Sequence, residues 1–409
     1  MTATDPVGNW ADDYDIFDPT YMADPFAIWD ELRQTCPVPH TERWGGSWMP
    51  VRYADVSAVA HDTEHFTSME VLVTPAPEPP EGAEEEMLLQ LGGEVSAPPI
   101  TSDPPDHAWA RRLILPAFSP KSVAPYEPIT RELSRSLVEA MLPDGRGDAA
   151  AGYAQQIPVR IIAKMLGIPD DLSDTFTGWV RGILELGAQD PELRQQSFLE
   201  LITYFMGVLE ERKANPGGTD IISELLRAEV EGEPVPDYHI LGTCMLILLA
   251  GIDTTWNSIG SALWHLATHP EDRKRLVAEP ELMPTAVEEL LRAYAPVTMA
   301  RLVKEEVEVN GRTMCPGERV LLSFPAANRD PDVFPDADKV VLDRAQNRHI
   351  AFGAGIHRCA GSNLARMELT VAIEEWLRAV PEFSIEDVSK VTWAGGQVRG
   401  PRTLPVVFR

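Results

Sequence analysis

Apolar positions recur at helical spacing along most of this chain, and the exceptions are local. Residues 22–36 (MADPFAIWDELRQTC) read as an amphipathic helix with Pro25 near its start. WGGSWMPVRY, 44–53, reads as a short hairpin, and YADVSAVAHD returns to helix. From 107 to 300 nearly every window carries the helical period, punctuated by LPAFSPKS, MLPDGRG, LGIPDD, KANPGG and EGEPVPD. Short strands are expected over 301–323, where Asn310–Gly311 marks a hairpin turn. A poorly periodic stretch, 324–351, precedes a helix at 362–380, and the end (VTWAGGQVRGPRTLPVVF) is strand-like. Residues 71–106 are rich in proline and acid, with one short helical piece expected at Glu84–Leu91. A loop of that length is either a functional lid or disordered. No repeat and no βαβ alternation is visible, so the pattern predicts a mainly α protein with a small β part.

Composition narrows the function. The 409 residues are 44% hydrophobic, enough for a large core, and carry a net charge of −28. So acidic a chain is a poor partner for nucleic acid or an anionic membrane surface. Four cysteines, at 36, 244, 315 and 359, form no CxxC pair or zinc spacing, and a disulfide framework is not expected. The N-terminus has neither the basic nor the apolar region of a signal peptide. The longest apolar run, Met245–Ala250, is far short of the roughly 20 residues that span a bilayer. These features predict a soluble, cytoplasmic protein without a membrane anchor.

Chemistry concentrates in FGAGIHRCAG, 352–361. A dinucleotide fingerprint fails, because Arg358 stands where GxGxxG needs its third glycine. A redox pair fails for want of a second nearby cysteine. Two readings stay open on these residues alone. Cys359 is either a structural cysteine in a glycine turn, or a thiolate metal ligand supported by a helix N-terminus, His357 and Arg358. In the second reading Gly355 and Gly361 let the backbone pass close to a flat group.

Three further segments bear on that choice: AGIDTT (250–255), EELLR (288–292) and PPDHAWARR (104–112). Together with Phe352, Gly355, His357, Cys359 and Gly361 they resemble the cytochrome P-450 family over essentially the whole chain. The similarity is to soluble bacterial members, including haem domains of the self-sufficient group, although a fused reductase is not expected here. The resemblance implies one haem domain, 1–409, with the P-450 helical prism and its minor β-rich region, and 71–106 as substrate lid. It implies haem b (iron protoporphyrin IX) ligated by Cys359, beside Phe352, Gly353, Gly361, Ala250 and Gly251. Arg111 and His107 would hold one propionate, and Arg301 and His357 the other, because a guanidinium fork suits a carboxylate. Asp253 and Thr254 would relay protons to bound O2, in a helix opened near Gly251. Glu289, Arg292 and Arg344 would form a structural ion network.

The implied activity is a monooxygenase fed from NAD(P)H through a separate [2Fe–2S] ferredoxin or iron–sulfur flavin reductase. Four arginines and two histidines, with no acid, lie between Arg344 and Arg366, a positive island for partner docking. Arg112, Arg348 and Arg358 are its expected contacts. By resemblance the substrate pocket draws on the 71–100 loop, the helices in 175–215, Leu248, Val297, Thr298, Met299, Gln397 and Val398. No lysine or arginine occurs from 71 to 110, which points to a small, neutral, apolar or aromatic substrate. Hydroxylation and oxidative O- or N-dealkylation, aryl ether demethylation included, are both expected of such a site. A peroxide-driven peroxygenase and a non-catalytic haem sensor or carrier are the alternatives, and an acid–alcohol pair at 253–254 argues against each. The protein is expected to be a monomer.

Overall fold

The computed structural model describes residues 5–75 and 96–408. The helices that matter below are α1 (Phe26–Thr35), α2 (Tyr53–His61), α3 (Asp106–Ile114), α4 (Glu127–Met141), α5 (Gln156–Leu166), α6 (Ser173–Leu184), α7 (Pro191–Ala214), α8 (Asp237–Thr268), α9 (Pro270–Ala278), α10 (Met283–Ala293) and α11 (Ser362–Ala379). Their boundaries follow local chemistry. Asp190 caps α7 by accepting from the Leu193 amide, with Pro191 in the first turn. Gly167 ends α5 in the left-handed region.

The β part is small. His40–Thr41, Ser47–Trp48, Arg319–Ser323, Thr298–Val303 and Phe66–Thr67 lie side by side in that order. The N-terminal hairpin therefore spans 40–48, a few residues before its expected place, and Pro50 leads the chain out towards α2. The expected Asn310–Gly311 turn is present: both residues have positive φ and join Val307–Val309 to Arg312–Met314. The C-terminal segment makes two pairings, Thr392–Ala394 with Gly400–Thr403, and Pro405–Phe408 with Phe383–Ile385 and Arg146–Asp148.

Helix α8 organises the interior. It is long and apolar enough to cross a membrane by length and composition, but 72% of its most apolar window is buried inside the fold. Its N-terminal half, through Ile252, enters a core with α5, α6 and α7. Its C-terminal half, from Trp256, enters a second core with α10 and α11. AGIDTT falls at the seam between the two. Polar side chains there avoid both apolar interiors, which removes most of the cost of burying them mid-helix.

Candidate active site

The 352–361 loop is built by glycine. Gly353 and Gly355 have φ of +73° and +67°, and a Cβ at Gly355 would lie 2.3 Å from the Ala60 carbonyl of α2. Gly355 is thus required by the packing of the loop on α2, not by a flat ligand as its sequence context suggests. Gly361 does face the cavity, where an added Cβ would meet Phe118 at 3.8 Å and Cys359 Sγ at 3.9 Å. The Cys359 amide donates to the Phe352 carbonyl at 2.8 Å, closing the loop. Cys359 Sγ shows open surface, yet that surface is cavity wall and the sulfur lies deep in the protein. Burial pushes its thiol up, while the Gly361 amide, Arg111, Arg366 and Arg358 pull the other way. Phe352 also lines the cavity, with the Arg366 guanidinium 4.4 Å from its ring centre.

That cavity runs between α8 and the cysteine loop. Arg111, Arg301 and His357 line it, and no acidic residue does among the described residues. Arg301 is buried, and burial pulls its guanidinium down to about 10. Its Nη1 donates to the Ala300 carbonyl at 2.7 Å, and no carboxylate lies within ion-pair distance among the described residues. His107 does not reach the cavity surface. It packs edge-on against His357, ring centres 4.5 Å apart, with its Nε2 buried and unpartnered. Burial and the nearby Arg301, His107 and Arg111 push His357 down to about 3, and its Nε2 lies 2.9 Å from Ser68 Oγ. A buried guanidinium without a carboxylate partner calls for an anion. Arg111, Arg301 and His357 would hold the two propionates of a haem, and Cys359 its iron.

Opposite the cysteine, Ile247, Ala250, Gly251, Thr254 and Ser258 present one face of α8 to the cavity. The helix is continuous through Gly251 and not opened there. The space a side chain would need is taken by Ile162 of α5, 2.5 Å from an added Cβ. Thr254 Oγ1 donates back to the Ala250 carbonyl at 2.7 Å, in the usual manner of a mid-helix threonine. Asp253 is turned from the cavity, so the expected acid–alcohol pair is not assembled. Its carboxylate is 1% exposed and bonded to Arg402, with Oδ1 2.8 Å from Nη1 and Oδ2 3.3 Å from Nη2, and to Asn257 Nδ2 at 3.0 Å. Arg402 was not legible in the sequence. It lies 149 residues from Asp253, in a strand with no motif around it.

Glu289, Arg292 and Arg344 are brought together. Glu289 accepts from Arg292 Nε and Nη2, both at 2.8 Å, and from Arg344 Nε at 2.9 Å. Arg292 also donates to the Asn328 and Ala337 carbonyls, so this fully buried pair pins the irregular 324–351 stretch to α10. The positive island is smaller than its composition suggests. Arg344 serves Glu289, while Arg366 and His349 serve Glu288, whose carboxyl they hold down to about 2. Arg348 and Arg358 remain exposed around one shallow depression, and exposed Arg112 sits on α3 next to Arg111, which bonds the Arg358 carbonyl.

The substrate positions separate. Val297 and Met299 line the cavity; Thr298 does not, because strand side chains alternate. Leu248 is off the cavity face of α8 and fully buried in the core with α5 and α7. Gln397 is structural: its Oε1 accepts from the Val73 amide at 2.9 Å and its Nε2 donates to the Val71 carbonyl at 3.2 Å. Val398 bridges to Val297 through the backbone. No residue of α6 or α7 reaches the cavity wall among the described residues; Pro99, Ile100 and Leu246 do. Most of the expected lid, including Glu84–Leu91, lies outside the described residues.

Comparison with known proteins agrees with this geometry. The family model for cytochrome P450 matches residues 192–391. The mycinamicin IV hydroxylase/epoxidase of Micromonospora griseorubida is 34% identical over 387 residues, 92% of this chain and 94% of the relative. The vitamin D(3) 25-hydroxylase of Pseudonocardia autotrophica is 31% identical, over 91% and 90% of the two chains. Among solved structures, CYP109E1 from Bacillus megaterium, in complex with testosterone, superposes with a TM-score of 0.84 at 30% identity, covering 94% of this chain and 98% of its own. Cytochrome P450 CREJ, in complex with (4-ethylphenyl) dihydrogen phosphate, gives 0.86 at 28% identity, covering 97% and 99%. A cavity that sets one cysteine against α8, inside a chain related end to end to bacterial hydroxylases, belongs to an oxidoreductase of the cytochrome P450 family.

Proposed function

We propose that this monooxygenase hydroxylates or oxidatively dealkylates a neutral, apolar organic molecule, with electrons from a separate [2Fe–2S] ferredoxin or an iron–sulfur flavin reductase. One observation carries the substrate reading. The only basic side chains on the cavity wall, among the described residues, are Arg111, Arg301 and His357, and all three lie at or beside the cysteine loop, where haem propionates would claim them. The wall beyond is Pro99, Ile100, Leu246, Ile247, Val297 and Met299. A substrate anion placed there would lose its hydration without gaining a partner.

Bound haem supplies the oxygen chemistry: with two electrons and two protons, one atom of O2 enters a substrate C–H bond and the other leaves as water. The chain does the rest. Cys359 would hold the iron as a thiolate, shielded by Phe352 and supported by the Gly361 amide. Arg111, Arg301 and His357 would hold the propionates, with His107 packed behind His357. The apolar wall orients the substrate and excludes water. Thr254 would hold a proton donor at the cavity face of α8, resupplied by Asp253 once that carboxylate turns from its pair with Arg402. Arg112, Arg348 and Arg358 receive the acidic partner, in a cytoplasmic, monomeric enzyme.

A spin-state titration of the ferric Soret band tests the substrate reading. The probes are mycinamicin IV, vitamin D3, testosterone and a small aryl methyl ether, each beside a carboxylate analogue of matched skeleton. At least one neutral probe should give a low-to-high-spin shift, with its carboxylate binding at least about tenfold more weakly, the usual penalty for an unpaired buried charge. A shift by carboxylates alone would overturn the reading.

A further inference from the structure

Arg366 and Glu288 form an ion pair beside the cysteine loop that no step described so far uses. Arg366 stands in the first turns of α11, just beyond Cys359, and Glu288 stands on α10 next to Glu289. The guanidinium meets the carboxylate with its fork: Nε donates to Oε1 at 2.6 Å and Nη2 to Oε2 at 2.8 Å. His349 completes the group. The Ala351 amide donates to His349 Nδ1 at 3.2 Å, so the ring proton sits on Nε2, which lies 3.0 Å from Glu288 Oε2. One carboxylate is thus held by a charged donor and by a neutral imidazole tied to the backbone of the loop.

The pair is lopsided with respect to that loop. The Arg366 guanidinium sits over the Phe352 ring, 4.4 Å from its centre, and Phe352 lines the cavity beside Cys359. Glu288 bonds Arg366 and His349 instead. A cation on an aromatic face has no water on that side, so its field is less screened there than on its outer side. Arg366 is also among the charges that favour the Cys359 thiolate against its burial. Both members are half-buried, and a pair of this exposure contributes little to stability. Its two charges nearly cancel for a partner approaching from solvent, yet at the sulfur the nearer charge, the guanidinium, prevails.

We propose that Arg366, stacked on Phe352, raises the reduction potential of the haem iron held by Cys359, and that Glu288 limits the rise by neutralising part of the guanidinium charge. Reduction adds one electron, supplied by the external reductant, to the iron and its thiolate; Arg366 and Glu288 neither gain nor lose a proton. A fixed cation near that centre stabilises the added negative charge and a fixed anion opposes it. Arg366 acts through Phe352 and Cys359 and is therefore a positioning residue, with His349 keeping Glu288 in place. The proposal deepens the reading of Cys359 as the iron ligand and rests on it.

Spectroelectrochemical titration of the haem-loaded protein, without substrate and with dithionite as reductant, tests it. Arg366→Gln should lower the ratio of ferrous to ferric haem at a fixed applied potential about fivefold, a fall of about 40 mV at 59 mV per tenfold for one electron. Glu288→Gln leaves the guanidinium without its counter-charge and should raise that ratio about threefold. Arg366→Lys keeps the charge without the fork and should fall less than Arg366→Gln. Arg378→Gln removes an exposed arginine of the same helix, paired with Glu375, and should leave the potential unchanged. The contrast in sign discriminates, because Arg366→Gln and Glu288→Gln break the same ion pair and a merely structural role would move both potentials the same way. A potential in Glu288→Gln at or below the wild-type value overturns the proposal, even if Arg366→Gln fails to take up haem. So does an Arg378→Gln shift as large as that of Arg366→Gln, since net charge would then be the cause. The reduced-CO spectrum of each protein separates the two readings: a wild-type band away from about 450 nm defeats the thiolate ligand itself, whereas intact bands with unmoved potentials defeat only the tuning role.

Discussion

Single residues divide into those whose chemistry is announced by neighbours in the chain and those whose chemistry depends on distant partners. Cys359 is of the first kind: glycines, His357 and Arg358 surround it within a few positions. Cys359→Ala should abolish the reduced-CO band near about 450 nm that marks a thiolate-ligated haem, while Cys244→Ala, in the core away from the cavity, should keep it. Glu368 is of the second kind. It lies on α11 as one more acid in an amphipathic pattern, yet the fold buries it completely, with both carboxylate oxygens unpartnered. Burial alone pushes its carboxyl well above the usual range. The sign of the consequence follows from linkage. The folded protein keeps a proton that the unfolded chain releases above its ordinary glutamate pKa, so stability is highest below that pKa and falls as pH rises towards the folded value. The fall is at most about 1.4 kcal/mol per pH unit. Glu368→Gln keeps the shape and removes the titration, so its advantage in Tm over wild type should grow from pH 5 to pH 8 in thermal melts of the haem-loaded protein. A pH-independent difference would mean that Glu368 is ionised and partnered.

At the scale of elements, legibility followed periodicity. The helices from 107 onward, the Asn310–Gly311 hairpin and the final strands lie where spacing and turn chemistry put them, because each is decided by residues within one or two turns. The 324–351 stretch was not legible. Its backbone is held by side chains from elsewhere, such as Arg292 donating to the Asn328 and Ala337 carbonyls. Helix phase explains the misplaced pocket residues too. Composition marks 248–251 as one apolar block, whereas only Ala250 and Gly251 of it share the cavity face with Ile247 and Thr254. Gly251 reads in sequence as a hinge, and in the fold it is the point where α5 meets α8. Gly251→Ala should therefore cost about 1–3 kcal/mol by overpacking against Ile162, even though alanine is the better helix former. Ile162→Val in the same chain should recover part of that loss, as measured by urea unfolding of the holoprotein. A hinge role predicts no such recovery.

The whole molecule sets the sign of its encounters. A net charge of −28 repels an acidic ferredoxin from most directions, and composition alone would exclude such a partner. The fold changes that at one place. Half-buried Glu288 and buried Glu289 consume Arg366, His349 and Arg344, so the positive field around the cysteine loop comes from the three arginines left exposed, Arg112, Arg348 and Arg358. Arg348 and Arg358 share one depression on the outer side of the loop that carries Cys359, so a partner centred there would stand on the shortest route to the sulfur. Charge steering of this kind acts on the encounter rate and is screened by salt. Arg358→Glu should accordingly slow ferredoxin-driven reduction by about tenfold at low ionic strength, with the deficit shrinking towards wild type near 0.5 M salt. Arg348→Glu should behave likewise. Lys274→Glu, an equally exposed reversal on α9 whose lysine is paired with Glu271, should leave reduction unchanged. Stopped-flow reduction under CO, followed across a salt series, separates the two classes of variant. Peroxide-driven turnover, which needs no partner, should be the same in all three. If Arg358→Glu and Lys274→Glu slow reduction equally, net charge governs the encounter and no local patch steers it.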